Sequence, residues 1–372
     1  MRPKAIFPLL ILMFLAGSFP GVSAEKASRY LHISTYTLEN RGNASYVLTE
    51  DETTILLFMN DRWQTVGIRN STHEVAHESL DMDGNRLAEL ALPPNLPPAS
   101  ELTFSVVYEI ESLDRPRPEI DPSEAGPYSA IPSELVEEFC VETETFTAGD
   151  EAIRALARRL TDNETTVLGA VSRLAEWITL NVAYGTFEVP RYPGDTLSDG
   201  VGDCDDQSIL LVALCRALGI PAFLQVGLIF DEGLEGEVNS WGGHLRIAQS
   251  GVGWHGWAVV YIPPWGWLPV DLTIRSSQGG LAVITGAPEY GSHIVPCFNV
   301  SRQEYIGDSL RSRERLMESD LYVTASYVGV EEDIGSPTGT PYYVVLAVGF
   351  TSAVVLVFLF IRRRGIALGN GV

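Results

Sequence analysis

From Ile209 to Leu218 the chain is apolar around almost the whole circumference of a helix. Ile209, Leu210, Val212, Ala213, Leu214 and Leu218 leave no polar stripe wide enough to face water, so the spacing predicts a helix buried on most sides. Such a helix must be covered by other parts of the same chain, a sheet on one side and further helices on others. Gly219 and Pro221 are its expected stop. At its start Asp203 fits an N-cap, with Asp206 three residues on, close to a capping box. Cys204 then falls at the first helical position, where unpaired backbone N–H groups favour a thiolate. Asp203, Asp205 and Asp206 work the other way, because like charge beside a thiolate raises its pKa. Within this segment Cys204 stands open between a nucleophile and a small buried residue.

A second stretch offers the groups that a thiol needs. His255 opens an alternating strand, a Pro-Pro-Trp-Gly turn follows at Pro263 to Gly266, and a second strand ends at Asp271. Antiparallel pairing across that turn would bring His255 and Asp271 together on one face. Thiol, base and orienting carboxylate are the groups that nucleophilic acyl transfer requires. His244 is the alternative base, or a residue lining the cleft.

The remainder divides by pattern. Leu102, Phe104, Val106, Tyr108 and Ile110 alternate with polar residues, the period of a half-buried strand. Thr53 to Met59 and Gln64 to Ile68 are further strands, and Asp83-Gly84 is a turn, its glycine too early for a calcium loop. An immunoglobulin-like or similar sandwich is the expectation for this region. Asp150 is a candidate N-cap for a helix carrying Ile153, Leu156, Ala157 and Leu160, and Val167, Val171, Leu174 and Ile178 form a second helical face.

Both ends read as membrane segments. Arg2 and Lys4, an apolar run from Ala5 to Ala16, and Val22-Ser23-Ala24 have the layout of a cleaved leader. Tyr342 to Ile361 contains no charged residue and is followed by Arg362, Arg363 and Arg364, the pattern of a spanning helix with a cytoplasmic tail. The expected division is therefore 1–24 leader, 25–113 β-rich domain, 114–148 linker and lead-in, 149–325 catalytic domain, 326–341 stalk, 342–361 transmembrane helix and 362–372 tail. The expected localisation is the cell membrane, single-pass type I, with the catalytic domain outside and the lipid bilayer as a partner. A formal net charge of −23 argues against a nucleic-acid partner, whose phosphates it would repel.

Several of these stretches together resemble one family. Gly202-Asp-Cys204-Asp-Asp, the run Leu-Cys-Arg-Ala-Leu-Gly-Ile-Pro-Ala, His255-Gly-Trp257 with Tyr261, and Gly266-Trp-Leu-Pro-Val-Asp271 resemble the transglutaminase-like superfamily. The resemblance runs from Gly149 to Thr273 and takes in Trp177 and Asn-Val-Ala-Tyr184. It implies an α+β fold with a papain-like core, the cysteine helix packed on an antiparallel sheet. It also implies Cys204 as nucleophile, His255 as general base and acid, and Asp271 as orienting carboxylate. The sequence departs from the family at Val259, where an acidic residue is usual. Oxyanion donors are open: the Cys204 N–H is one candidate, Tyr184 or a nearby tryptophan another.

The expected chemistry is acyl transfer through a thioester on protein or peptide amides, with no cofactor and no metal. Water as acceptor gives a protease or amidase, the favoured expectation; a lysine amine gives a crosslinking transglutaminase. The chain has only two lysines, Lys4 and Lys26, which would spare a crosslinking enzyme from itself. A catalytically silent binding or scaffold module is the alternative of another class. Cys215 is expected in the core, and Cys140 and Cys297 could form a disulfide.

Overall fold

The computed structural model describes residues 27–274 and 280–332. Eight strands form one sheet: β1 (Ala27–Asn40), β2 (Gln64–Ser71), β3 (Ser100–Leu113), β4 (Ala222–Ser240), β5 (Leu245–Ile262), β6 (Gly266–Val270), β7 (Ile294–Val300) and β8 (Leu321–Glu332). Their spatial order is β7-β4-β5-β8-β1-β3-β2, with β6 also paired to β5. The helices that matter for the site are α1 (Glu151–Thr161), α2 (Val167–Asn181), α3 (Pro193–Asp199), α4 (Cys204–Ala217) and α5 (Tyr305–Met317).

The all-round apolar helix is α4. Every residue from Cys204 to Arg216 is buried, covered by α1, α2 and α3 on one side and by β4 and β5 on the other. Burying each of its Leu, Ile and Val side chains contributes about 1.5–3 kcal/mol. The helix ends as expected: Gly219 adopts φ +75°, a conformation open to glycine at little cost. Arg216, buried in the last turn, donates to the carbonyls of Ala222, Val141 and Ser301. One guanidinium thus ties the helix end to the start of β4 and the end of β7.

Two features of the expected fold are corrected. First, the N-terminal strands do not form a sandwich-like domain standing apart from the catalytic core. β1 pairs along its length with β3 on one side and with β8 on the other, from Arg29 opposite Glu332 to Asn40 opposite Leu321. β8 in turn runs parallel to β5 over Leu245 to Ser250. The late strand β8 therefore joins the early strands to the strand that carries His255, and one apolar core runs from Tyr30 to Tyr327. A small sheet of Thr54–Leu57, Arg86–Leu90 and Val75–Leu80 lies outside the main one. Its turn is pinned to the core, since the Asp83 carboxylate accepts from the N–H groups of Ser301, Arg302 and Gln303.

Second, no helix among the described residues is long and apolar enough to cross a membrane. The α2 helix has 15 residues, roughly 22 Å of rise against a hydrocarbon core of about 30 Å, and it is packed against α1 and α4. The single-pass type I localisation and the bilayer as partner accordingly lose their support. The segments behind these expectations, 1–24 and 342–361, lie outside the described residues.

Candidate active site

The sequence-predicted capping box at the start of α4 is present: the Asp203 side chain accepts from the Asp206 N–H and the Asp206 side chain accepts from the Asp203 N–H. This fixes Cys204 at the first helical position, among the N–H groups that have no partner within a helix. Beneath it lies β5. A Cβ added to Gly256 would meet the Asp205 Cβ at 3.1 Å and its Cα at 3.3 Å, so glycine lets strand and helix start approach this closely. Consequently the backbone of Gly256, the residue that follows His255, lies close enough to the Cys204 thiol to favour its charged form.

His255 sits where β5 forks. One flank of β5 is paired with β8 up to Ser250 and with β6 from Ala258 to Ile262. The gap between those ladders contains His255. Val270 faces Ala258, so one residue further on Asp271 is level with Trp257, on the face His255 shares by strand alternation. The His255 Nε2–H donates to Asp271 Oδ2 at 2.9 Å. That bond leaves Nδ1 as the acceptor nitrogen of the neutral imidazole. The other Asp271 oxygen accepts from the N–H groups of Thr273 and Ile274. Burial pushes the Asp271 carboxyl up, but the His255 charge and hydrogen bond and these two N–H bonds outweigh it and hold the carboxyl down at about 2.

Cys204 and His255 are each 4 % exposed, a nearly closed site. Burial, then the charges of Asp203 and Asp205, push the Cys204 thiol well above its usual range, against the pull of the Gly256 backbone. Asp203 and Asp206 are themselves shifted. Burial followed by the Asp205 charge lifts Asp203 well above the carboxylate range. The same causes bring Asp206 to about 7, despite N–H bonds from Arg191 and Asp203. Asp205 Oδ2 accepts from the Tyr305 hydroxyl of α5 at 2.8 Å.

Of the alternatives, His244 immediately precedes β5, eleven residues and roughly 35 Å of strand from His255. Its Nδ1–H donates to the Leu321 carbonyl and its ring stacks on Tyr322, so it neither serves as the base nor lines the cleft. Tyr184, paired with Gly202, lies half-exposed near the cysteine; burial first, then Cys204 and the aspartates, raise its phenol. It stays a candidate oxyanion donor beside the Cys204 N–H. Val259 is buried with Trp257, Phe223 and Ile294. All four cysteines are free, so Cys140 and Cys297 form no disulfide, and Cys215 is fully buried as expected.

Two residues of this neighbourhood carried no sequence signal. Tyr305 reaches Asp205 from a helix a hundred residues on. Glu289, in the turn Pro288–Tyr290, places Oε1 3.8 Å from His255 Nε2. Two buried groups have donor types suited to a cation, Asp203 with Cys204 and Asp205, and His255 with Asp271 and Glu289. In both, protein hydrogen bonds already engage members of the set, Tyr305 on Asp205 and Asp271 on His255 Nε2.

Residues 154–272 match the transglutaminase-like superfamily, so this stretch is a transglutaminase-like domain and supports cysteine-dependent catalysis at the level of the superfamily. No curated protein matches the chain. Among solved structures, a candidate cysteine protease from Cytophaga hutchinsonii aligns at 16 % identity and a TM-score of 0.49, over 86 % of this chain and 95 % of its own. LapG of Legionella pneumophila aligns at 15 % identity and 0.27, over 52 % of this chain and 99 % of its own. A candidate protease from Parabacteroides distasonis aligns at 12 % and 0.26, over 68 % and 64 %.

Proposed function

We propose that this protein is a cysteine hydrolase that opens peptide or other amide bonds of protein or peptide substrates through a Cys204 thioester. The observation that carries the reading is the meeting of two sequence-distant elements: Cys204 at a helix start, packed on Gly256, and the hairpin on which His255 is oriented by Asp271 at 2.9 Å. His255 Nδ1 takes the thiol proton as Cys204 attacks the carbonyl, and the imidazolium returns it to the leaving amine. The oxyanion falls to N–H groups at the start of α4, with Tyr184 the second candidate. Water then releases the acid, with His255 again as base. A site this closed favours a small acceptor: once the acyl group occupies it, water fits more readily than a protein lysine.

Crosslinking is the second reading, favoured by the scarcity of lysine. A silent binding module is the third, favoured by the raised thiol of Cys204. One experiment separates all three. A peptide pool is incubated in ¹⁸O-water with and without a primary-amine probe and followed by mass spectrometry. Hydrolysis puts ¹⁸O into new carboxyl groups, and Cys204→Ala abolishes it. Amine incorporation in preference to ¹⁸O would replace hydrolysis with crosslinking. Tight peptide binding without turnover, undiminished in Cys204→Ala, would leave only the binding module.

A further inference from the structure

Glu289 is the buried acidic group that this mechanism does not use. It is 3 % exposed, and no donor among the described residues satisfies either of its oxygens. The charged and titratable groups facing it are few. His255 Nε2 lies 3.8 Å away, and one oxygen each of Glu289 and Asp271, with a His255 nitrogen, fall within 4.8 Å of one another. Arg115 acts on it from the segment after β3, its guanidinium engaged with Gln64, Asp61 and the Ile294 carbonyl. Tyr290 is its chain neighbour, with Arg117 over that ring.

Two carboxyl groups that share one imidazole nitrogen in a dry site do not both ionise. Asp271 is the one supplied with donors, from His255, Thr273 and Ile274. Glu289 has none from any other described residue, so the proton belongs on Glu289. An O–H there satisfies both residues at once, because Asp271 has lone pairs to spare and Glu289 becomes its own donor.

Resting on the reading of Cys204 and His255 as nucleophile and base, we propose that Glu289 is a positioning residue of the His255–Asp271 pair, a neutral carboxylic acid whose proton is directed at the Asp271 carboxylate and holds it against His255 Nε2. Burial and the neighbouring Asp271 charge act in the same direction by raising the Glu289 carboxyl well above its usual range, against the weaker pull of its own backbone N–H and of Arg115. Neutrality has a consequence for the base. The imidazole faces one carboxylate instead of two, and its Nδ1 is left for the proton exchanged with thiol and leaving amine.

The test uses the full chain and iodoacetamide, with mass spectrometry to separate Cys204 from the other three thiols, and follows the alkylation rate against pH. Glu289→Gln keeps shape and neutrality; its rate is expected within about twofold of wild type, with a superimposable pH curve. Glu289→Leu removes the donor; it is expected to be about tenfold slower at neutral pH with a displaced curve, the scale seen when an orienting partner of a histidine is lost. Thermal unfolding checks that each variant folds. Independently, the infrared difference between wild type and Glu289→Gln is expected to contain the C=O stretch of a protonated carboxyl, and that holds even where Glu289→Leu fails to fold. The inference is overturned if that band is missing, if Gln is as slow as Leu, or if both variants match wild type. A calcium or zinc response of wild type that both variants lose would also overturn it, by making Glu289 a cation ligand. His255→Ala is the control for the underlying reading. If it leaves the Cys204 curve unchanged the proposed function fails first, whereas a slowed His255→Ala beside unaffected Glu289 variants sinks the positioning role alone.

Discussion

Two histidines lie buried in the same sheet, and their surroundings make them different chemical groups. His32, on β1, is 0 % exposed and enclosed by the rings of Phe58, Tyr108, Trp254 and Tyr327. Its Nε2 bonds the Ser34 hydroxyl and its Nδ1 has no partner among the described residues. Burial alone drives its pKa down to about 3. His255, on β5, is almost as buried but shares its pocket with the Asp271 carboxylate, whose own pKa is held at about 2. At His32 desolvation penalises the charged form and nothing offsets it, whereas a carboxylate accepts the His255 Nε2 hydrogen bond. Burial by itself makes a histidine inert, and the adjacent carboxylate is what makes one a candidate base. The two sites touch, because Trp254, which edges onto His32, is the residue before His255.

The sharpest way to break this comparison is to remove each ring. His255→Ala is expected to cut peptide turnover by roughly 10⁵-fold or more, as loss of the base does in other nucleophile–base sites, while His32→Leu leaves turnover within about threefold. Equal losses would mean that the difference between the two pockets has no catalytic meaning. Asp271→Asn keeps the shape but favours the wrong tautomer, and about a 10⁴-fold fall in kcat is expected with little change in KM. A loss confined to KM would assign Asp271 to substrate binding.

The next effect concerns stability. As pH falls below about 6.5 the unfolded chain protonates His32 while the folded chain does not until about pH 3. Stability from this residue is thus intact above 6.5 and is lost across that window, by about 5 kcal/mol in all. Asp206, lifted to about 7, acts in the opposite sense: its contribution is complete below its unfolded value and disappears as pH rises toward 7. Comparing wild type with His32→Leu by denaturant unfolding isolates the histidine. The stability advantage of wild type over the variant should shrink or reverse by that amount between neutral pH and pH 3, and a constant difference would refute the aromatic-cage account. The smallest expected effect is at the cysteine end. Tyr305→Phe removes the donor from Asp205 Oδ2 and should cost about 1–3 kcal/mol, seen as a lower Tm. An unchanged Tm would show that Asp205 finds another partner.

Much of the site is legible in local sequence because its chemistry is built on local structure. A capping pair names the helix start and hence the place of Cys204. A strand, a tight turn and a second strand name the hairpin that sets Asp271 on the face of His255. Glu289 and Tyr305 were not legible, since Pro288–Tyr290 has no periodic pattern and Tyr305 opens an ordinary amphipathic helix. Both act at a distance along the chain that no spacing rule spans. His244 shows the converse: its residue type invited a role that its place at the wrong end of β5 denies.

By itself the sequence determined the buried helix, the strand alternation from Leu102 to Ile110 and the three residues on which the chemistry is proposed to turn. These follow from periodicity, caps and turn residues, all of which act within a few residues. Only the tertiary structure decided that the early strands belong to the catalytic sheet. Alternation states which face of a strand is buried but not which strand lies beside it, and β1 finds β8 across almost the whole described chain. The same holds for charge at the site: whether a carboxyl beside Cys204 or His255 is ionised depends on burial and on donors from distant elements, and those exist only once the sheet has formed.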